Sequence, residues 1–219
     1  MDLAFLNRQM KVVKGNGVIV KKKEAYYDYH RPLFSGNATS NFKVPRSQPE
    51  WPEWYRAWHT MCHSAFIKKE SEICFAWRDS VVYKAWFDKK FEEGKVITAR
   101  LGFLGERLYS PYTTAFVSPA LAKWLMPKPT AARARGVTTR KLLNTEVIRA
   151  GISINKERIG LGRFNSVDEA HQAWILEKIR IGKELLNDHA DNVIVVRGVT
   201  RVLEYLQDCY DNNKEVTGI

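Results

Sequence analysis

The chain contains few cysteines and no long apolar run. Its three cysteines, Cys62, Cys74 and Cys209, form no regular framework, which is typical of a protein in a reducing, intracellular compartment. No apolar stretch reaches the roughly 20 residues that a transmembrane helix needs. Residues 1–14 also lack the apolar stretch and the small-residue cleavage site of a secretory signal. We therefore expect a cytoplasmic protein that does not enter a membrane.

Acidic side chains are scarce in one segment of the chain. Residues 126–165 carry nine Lys or Arg but only two Asp or Glu, a net charge of +7, whereas all 219 residues together carry +11. Residues 166–219 carry a net charge of −4. Such concentrated positive charge favours a partner with closely spaced phosphates, so we expect nucleic-acid binding. The alternative is a solvated basic loop that only keeps the protein soluble.

Hydrophobic periodicity predicts a mixed α+β fold. The glycine-containing residues 15–17, between two short apolar runs, predict a hairpin over residues 10–24. Apolar residues spaced near i, i+3 and i+4 predict helices over residues 54–66, 80–91, 119–125, 166–186 and 199–210. On the second of these helices the expected inner residues are Val81, Val82, Ala85, Trp86 and Phe87. Strands are expected over residues 96–103, 113–117, 148–154 and 158–163, and residues 193–196 fit either a strand or a buried helix start.

A small antiparallel sheet packed against one helix is predicted for residues 148–186. Apolar residues at 148, 150, 152 and 154 alternate with polar or small residues, as in a strand with one buried face. Residues 155–157 form the turn to the partner strand. Ser166 and Glu169 predict a capping box at the helix start, because the serine accepts from an early helix amide and the glutamate reaches back.

The solvent face of this sheet is the predicted DNA-reading surface. If the apolar residues face the helix, Arg149 and Ser153 face solvent, beside Arg158 and Arg163 from the neighbouring strand. Glycines at positions 151, 160 and 162 leave that surface low, so a nucleic-acid backbone is able to approach. A sheet fits the major groove, where arginine is the commonest reader of guanine. A merely solvated sheet face is the alternative.

Further basic residues are expected to contact DNA around this sheet. Residues 131–140 predict a basic linker that holds phosphates. The three lysines after the predicted hairpin are also expected to hold phosphates. The complete set of these expected contacts is Lys21, Lys22, Lys23, Arg133, Arg135, Arg140, Lys141 and Lys156.

Residues 135–187 resemble the AP2-type DNA-binding domain. The resemblance is carried by Gly136-Val137, by residues 148–152, and above all by LGRFNSVDEA at residues 161–170, followed by Ala173-Trp174. It implies a three-stranded antiparallel sheet, one packed helix, and DNA contact from the sheet. In phage proteins this domain often follows an HNH nuclease module.

The preceding residues are similar to the nuclease part of the phage HNH-type homing endonucleases. Residues 55–61 resemble their opening helix, residues 73–77 and 83–87 their second block, and residues 109–117 their most recognisable stretch. Together with the AP2-like part, the resemblance covers about residues 51–187. It implies a ββα-metal module acting on DNA in an infected bacterial cell.

The positions that carry nuclease chemistry in this family are occupied here by other residue types. A strand with two aspartates usually precedes the tyrosine-serine-proline stretch, and Thr98, Ala99 and Arg100 stand there. Ala122 replaces the usual asparagine, and Ala65 and Thr114 stand in place of family cysteines. A divalent metal needs oxygen or imidazole ligands, which threonine, arginine and alanine do not supply in the required form. We therefore assign no catalytic residue.

One other constellation has metal-ligand spacing. His59 and His63 lie one helical turn apart, with Cys62 beside them, and such spacing is able to hold zinc. No second ligand pair is evident nearby, apart from Cys74. The sequence favours core or helix-surface histidines, so no metal or cofactor is predicted.

The sequence thus predicts an α+β protein built from a degenerate HNH-like module and an AP2-like module. The expected boundaries are a basic N-terminal extension at 1–50, the HNH-like module at 51–127, the AP2-like domain at 128–190 and a C-terminal helical segment at 191–219. The predicted function is sequence-specific binding of double-stranded DNA without cleavage, as in a regulator derived from a mobile element. The C-terminal helix either closes the domain or pairs two copies into a homodimer.

Two other functions stay open at this point. The first is an active homing or nicking endonuclease that uses Mg or Mn, with Glu106, Asp79 or the two histidines as ligands. The second is a protein inhibitor of a host or phage enzyme. The absence of any carboxylate or histidine from residues 96–104 argues against the first, and the +7 segment argues against the second.

Overall fold

Helices and small sheets together make up the molecule. The computed structural model describes residues 13–14, 18–19, 32–40, 50–104, 106–126, 134–142, 145–154 and 157–217. Helix accounts for 48% and strand for 22%, which confirms the α+β class. Every helix among these residues is too short or too polar to cross a membrane.

Two short hairpins begin the chain. β1 (Val13–Lys14) and β2 (Val18–Ile19) pair antiparallel, as the hairpin predicted over residues 10–24 requires. β3 (Pro32–Leu33) pairs in the same way with β4 (Ala38–Thr39). Ala38 is buried in the first of two hydrophobic cores.

The first core is aromatic and lies around two helices. α1 (Glu53–His63) continues into a wider π-type turn (Ser64–Lys68), and α2 (Ser80–Lys90) follows β5 (Glu72–Ile73) and a 3₁₀ turn (Phe75–Arg78). The buried positions of α1 recur with helical spacing, which explains why the sequence forms a helix there. They are Trp54, Tyr55, Trp58, Met61 and Cys62.

The inner face predicted for α2 is partly wrong. Val81 and Val82 are 41% and 45% exposed, while Tyr83 and Phe87 are buried. The ring of Tyr83 packs edge-on against Trp77, at 5.2 Å between centroids, and this contact sets the rotation of the helix. Aromatic area therefore outweighs the two valines in choosing the buried face.

A strand–strand–helix unit follows. β6 (Val96–Thr98) pairs antiparallel with β8 (Ala115–Val117), and α3 (Pro119–Trp124) comes directly after β8. Between them β7 (Leu108–Tyr109) pairs in parallel with β5. The strand predicted over residues 96–103 ends at Thr98, because the chain turns there to bury Leu101 in the second core.

The third unit is a three-stranded antiparallel sheet with a long helix against it. β10 (Thr145–Ile154) is central, between β9 (Val137–Leu142) and β11 (Glu157–Phe164). The basic linker predicted over residues 131–140 is therefore wrong from residue 137 onwards. Backbone pairing with β10 makes a strand of a segment whose side chains are mostly polar.

Two helices complete the fold, α4 (Val167–Asn187) and α5 (Val193–Asp211). The predicted capping box begins α4: the Glu169 N–H donates to Ser166 Oγ at 3.1 Å, and Glu169 Oε2 accepts from the Asn165 N–H at 3.2 Å. Residues 193–196 are the first turn of α5 and not a strand.

The second core joins residues on both sides of position 127, where the sequence predicted a domain boundary. It contains Leu101, α3, the inner face of β10, α4 and α5. The apolar stripe of α5 is buried within this core, through residues that include Val195, Val199, Val202 and Leu206. A homodimer would therefore have to use another surface of the molecule.

A buried lysine connects α3 to α4. Lys178 Nζ donates to the carbonyl oxygen of Trp124 at 3.0 Å, and Trp124 Nε1 donates back to the Lys178 carbonyl oxygen at 3.0 Å. The ammonium also lies 5.0 Å and 5.5 Å from the ring centroids of Trp124 and Trp174. A charge in a core needs such partners, since unpaired burial is costly.

We predict that acid weakens the fold through His189. This side chain is almost fully buried, and its Nε2 accepts a hydrogen bond from the Ser118 N–H at 3.2 Å. Burial, followed by Lys95, lowers the pKa of His189 below the usual 6.5, and Asp188 and Glu92 only partly oppose this. The folded state thus resists a proton that the unfolded chain accepts below pH 6.5, and the free energy of unfolding falls as the pH drops.

The measurement is urea unfolding at several pH values between about 7.5 and 5. His189→Gln keeps an acceptor for the Ser118 N–H but cannot be protonated, so its unfolding free energy should fall less steeply than that of the wild type. Equal slopes for the two proteins would contradict the assignment.

Candidate nucleic-acid interface

Four arginines lie on one face of the three-stranded sheet. In the β10–β11 register Arg149 is opposite Arg163 and Ser153 is opposite Arg158, while in the β10–β9 register Val147 is opposite Arg140. Residues directly opposite each other in an antiparallel pair project to the same side. We call this side the arginine face, and all four arginine side chains on it are exposed.

An open groove of about 750 Å³ runs over the arginine face. Among the residues that the structure describes, its lining contains the four arginines and no acidic residue; the members are Thr138, Arg140, Val147, Arg149, Ala150, Arg158, Gly160, Gly162 and Arg163. Positive charge without a compensating carboxylate in the lining makes the groove a strong attractor for an anion.

Arg158 is held across the middle of the sheet. Its Nη2 donates to Thr138 Oγ1 at 3.4 Å, so the side chain reaches from β11 over β10 to β9. A Cβ on Gly151, in the central strand below it, would lie 3.5 Å from Arg158 Nε and 3.1 Å from the carbonyl oxygen of Ile159. Glycine at 151 therefore leaves the space in which the arginine lies flat.

A β-bulge places Arg158 and Arg163 on the same face. The two are five positions apart, and an odd separation in a regular strand would send them to opposite faces. The register steps from Ala150 opposite Gly162 to Gly151 opposite Gly160, which leaves Leu161 as the extra residue. Gly162 has φ +119°, a conformation that L side chains rarely adopt.

The opposite face of the sheet is anchored to α4. Ile152 is buried there, and Trp174 of the helix belongs to the same core. Gly136 enters the sheet with φ +78°, and a Cβ on it would lie 2.1 Å from Trp174 Cδ1. The Gly136 carbonyl oxygen accepts from the Gly151 N–H at 2.9 Å, which ties the entry of β9 to the centre of β10.

His171 of α4 fixes the segment just before β9. Its Nδ1 lies 2.9 Å from the Arg135 carbonyl oxygen, and its Nε2 accepts from the Val216 N–H at 3.3 Å. Both bonds are satisfied when the neutral ring carries its proton on Nδ1, which then donates to Arg135. The ring also stacks on Trp174, at 5.6 Å between centroids.

Two predicted DNA contacts lie away from the arginine face. Arg135 Nη2 donates to the carbonyl oxygen of Thr217 at 3.2 Å, so this side chain holds the C-terminal residues. Lys141 is opposite Glu146 and one position along from Arg140, which puts it on the other side of β9. Arg133, Lys156 and Lys21 to Lys23 lie outside the described residues.

Sequence reasoning missed Thr138 and Val147 as members of the groove. Both come to the arginine face through the pairing of β9 with β10. Thr138 and Arg140 are two positions apart, so the alternation that revealed β10 was available one strand earlier. It was hidden because β9 carries polar residues on both faces.

The positions expected for nuclease ligands serve packing in this structure. Thr98 is buried at the end of β6, where its Oγ1 accepts from the Arg100 N–H at 3.4 Å, and Ala122 is buried in the second core. Burial, followed by the charge of Arg107, lowers the pKa of Arg100. Thr114 Oγ1 accepts from the Ser110 N–H at 3.2 Å.

The residues named for the endonuclease alternative have separate surroundings. His59 lies among aromatic rings, 4.9 Å from Trp51 and 5.0 Å from Phe34 between centroids, and burial followed by His63 lowers its pKa. Asp79 caps α2 by accepting from the Val81 N–H at 2.7 Å. Within the described ranges, three or more His, Cys, Asp or Glu do not come together as a metal site.

Comparison with known proteins adds no relative. No family model, no curated protein and no solved structure matches the chain. The resemblance to HNH-type and AP2-type proteins stays a hypothesis, and function is inferred from the geometry of the chain itself.

Gly136 is predicted to be indispensable to the sheet. Gly136→Ala places a Cβ against the Trp174 ring and in a left-handed conformation, so we expect the unfolding free energy to fall by about 2 kcal/mol or more. Gly160→Ala is the matched control, because its Cβ would meet nothing within 4 Å, and its effect should stay within about 0.5 kcal/mol. Equal urea midpoints for the two variants would contradict this role.

The pairing of Arg149 with Arg163 is predicted to lower the unfolding free energy of the protein when no ligand is bound. Arg149 and Arg163 are directly opposite, and like charges in such pairs are destabilising. Arg163→Gln should raise the unfolding free energy by about 0.2–1 kcal/mol at low salt, and added salt should shrink the gain. Arg180→Gln, which removes an exposed arginine paired with Glu177 and Glu184, should show no gain. A loss of stability in Arg163→Gln would exclude the repulsion.

Proposed function

We propose that this chain binds double-stranded DNA sequence-specifically and does so by placing the arginine face in the major groove. One observation carries the proposal: four exposed arginines come together over a groove whose described lining residues include no Asp or Glu. Phosphates and guanine edges are the anionic and acceptor-rich groups that such a surface takes.

The dimensions of the sheet fit the major groove. Strands lie about 4.8 Å apart, so the outer strands of a three-stranded sheet are separated by roughly 10 Å. The major groove is about 12 Å wide and admits a β-ribbon. The glycine at 160, above which a Cβ would meet no atom within 4 Å, keeps the floor of the face low.

Arg158 and Arg149 are assigned to base reading. Arginine makes two parallel hydrogen bonds to guanine, and a side chain fixed before binding loses less freedom when it does so. The bond to Thr138 restricts the position of the Arg158 side chain. Arg140, at the side of the sheet formed by β9, is assigned to phosphates.

The architecture supports the resemblance on which the regulatory role depends. A three-stranded antiparallel sheet followed by one packed helix is what the AP2-type resemblance implies, and β6, β8 and α3 follow the strand–strand–helix order of a ββα module. With Thr98 and Ala122 buried at the family's ligand positions, the protein acts as a non-cleaving regulator that has kept the DNA-binding half of an endonuclease. An active endonuclease using Mg or Mn is the alternative.

Removing the reading arginines should weaken specific binding. Arg149→Ala and Arg158→Ala are each expected to cost about 1–3 kcal/mol of binding free energy on the selected site, because each loses contacts to a base. Fluorescence anisotropy on duplexes selected from a fragment library measures this at one fixed salt concentration, since affinity depends steeply on salt.

Arg180→Ala is the matched control for charge. It removes an exposed arginine from α4 and does not alter the groove lining. Unchanged affinity in both sheet variants, or an equal loss in the control, would sink the proposal.

A second assay separates regulation from cleavage. Supercoiled plasmid incubated with the protein and Mg or Mn should be retained and not nicked. Metal-dependent nicking at a defined site would establish the endonuclease, and the sheet variants would then report how that enzyme finds its target.

A further inference from the structure

Two aromatic side chains are displayed to solvent on loops that do not belong to the arginine face. Phe103 and Tyr112 are 68% and 75% exposed, although burial of either ring would contribute substantially to stability. Val193, at the start of α5, is also 75% exposed. None of the three lines the arginine groove.

An arginine of α5 contacts each of the two loops. The Arg201 guanidinium lies 5.2 Å from the centroid of the Phe103 ring and donates to the carbonyl oxygen of Gly102. Arg197 Nη2 donates to the Tyr112 carbonyl oxygen at 3.4 Å. The two arginines are four positions apart on one helix, so they lie on the same face of it, with their Cβ atoms about 5–6 Å apart.

The loops that carry the rings are firmly held. Leu101, two positions before Phe103, is buried against α5, where a Cβ on Gly198 would lie 2.7 Å from Leu101 Cα. The Tyr112 N–H donates to Ser110 Oγ at 3.3 Å. The backbone that carries the two rings is therefore already ordered before a ligand binds, so that binding loses little conformational entropy in the loops.

We infer that Phe103, Tyr112, Arg197 and Arg201 form a second nucleic-acid surface, which takes unpaired bases of a single strand. Bases stack on exposed aromatic rings and on guanidinium planes, and arginine holds the intervening phosphates. A guanidinium has five N–H donors, so one bond to a carbonyl leaves others for a phosphate. The four residues are called the stacking surface below.

The positive charge of Arg197 and Arg201 favours a nucleic acid over a protein partner that has few acidic residues. The stacking surface holds Arg201 beside the Phe103 ring and Arg197 beside the Tyr112 carbonyl oxygen. Single-strand binders share this combination of cations and exposed aromatic rings. Glu106 also lies in this loop, since its N–H donates to the Phe103 carbonyl oxygen at 3.2 Å. Its carboxylate should weaken the binding of phosphates, so Glu106→Gln should strengthen it.

The test uses the full chain and a fluorescently labelled oligothymidylate of about a dozen nucleotides, followed by anisotropy. Phe103→Ala and Tyr112→Ala should each weaken binding roughly 5- to 150-fold, which corresponds to the loss of one base–aromatic stack. Tyr112→Phe keeps the ring and should bind as the wild type does. Thermal unfolding of each variant verifies that the fold is retained.

Phe75→Ala is the matched control. This ring is 84% exposed and also lies beside an arginine, 5.7 Å from Arg78, but it belongs to the 3₁₀ turn before α2. It should leave single-strand binding unchanged. An equal loss in this control, or unchanged affinity in the Phe103 and Tyr112 variants, would overturn the inference and favour a protein partner.

The stacking surface is separate from the arginine face. Measuring the affinity of each variant for duplex DNA as well as for oligothymidylate distinguishes the two surfaces. Phe103→Ala and Tyr112→Ala should leave affinity for the selected duplex unchanged, whereas Arg149→Ala should lower duplex affinity and leave oligothymidylate binding unchanged. Parallel losses on both ligands in every variant would mean one shared surface and would overturn the assignment of a second.

Discussion

The placement of both candidate surfaces depends on the hydrogen bonds that Lys178 makes inside the second core. Its ammonium needs an acceptor, and the carbonyl oxygen of Trp124 at the end of α3 supplies one, while the Trp124 indole donates back to the same helix. The carbonyl end of a helix is also its negative end, which suits a cation. One turn further along α4, a Cβ on Gly182 would lie 2.4 Å from the Trp124 ring. The strand–strand–helix unit and the sheet unit are thereby fixed to each other.

This shared core changes how the chain is divided. The sequence favoured a boundary near residue 127 because prolines cannot continue a helix. The end of a helix, however, need not be the end of a hydrophobic core. Leu101 and Val117 precede that position, and they pack in one cluster with Ile175 and Val199, which follow it. α5 covers the cluster, so its apolar stripe serves the monomer. The same helix then has its polar side free to carry Arg197 and Arg201.

Patterns with one clean period were predictable, and conformations set by tertiary contacts were not. β10, the capping box of α4 and the exposure of Arg149 and Arg158 follow from residues 148–169 alone. β9 was taken for a linker, because its strand identity comes from pairing with β10. The buried face of α2 was misplaced, since the Trp77 ring decides it. Phe103 and Tyr112 gave no periodic pattern, because loops display them.

Because of the bulge at Leu161, inserting a residue into β11 changes the arginine face more than substituting one does. Substitutions on β11 alter one side chain at a time, so the face changes gradually. Inserting one residue between Arg158 and Arg163 while the bulge is kept makes their separation even, and one arginine then turns towards α4. Deleting Leu161 instead removes the bulge and leaves both arginines on the arginine face. A chain with one more residue in this strand would therefore present a different set of side chains on the arginine face with nearly the same amino acids. The composition of the arginine face is thus able to change by a step in register as well as by exchange of side chains.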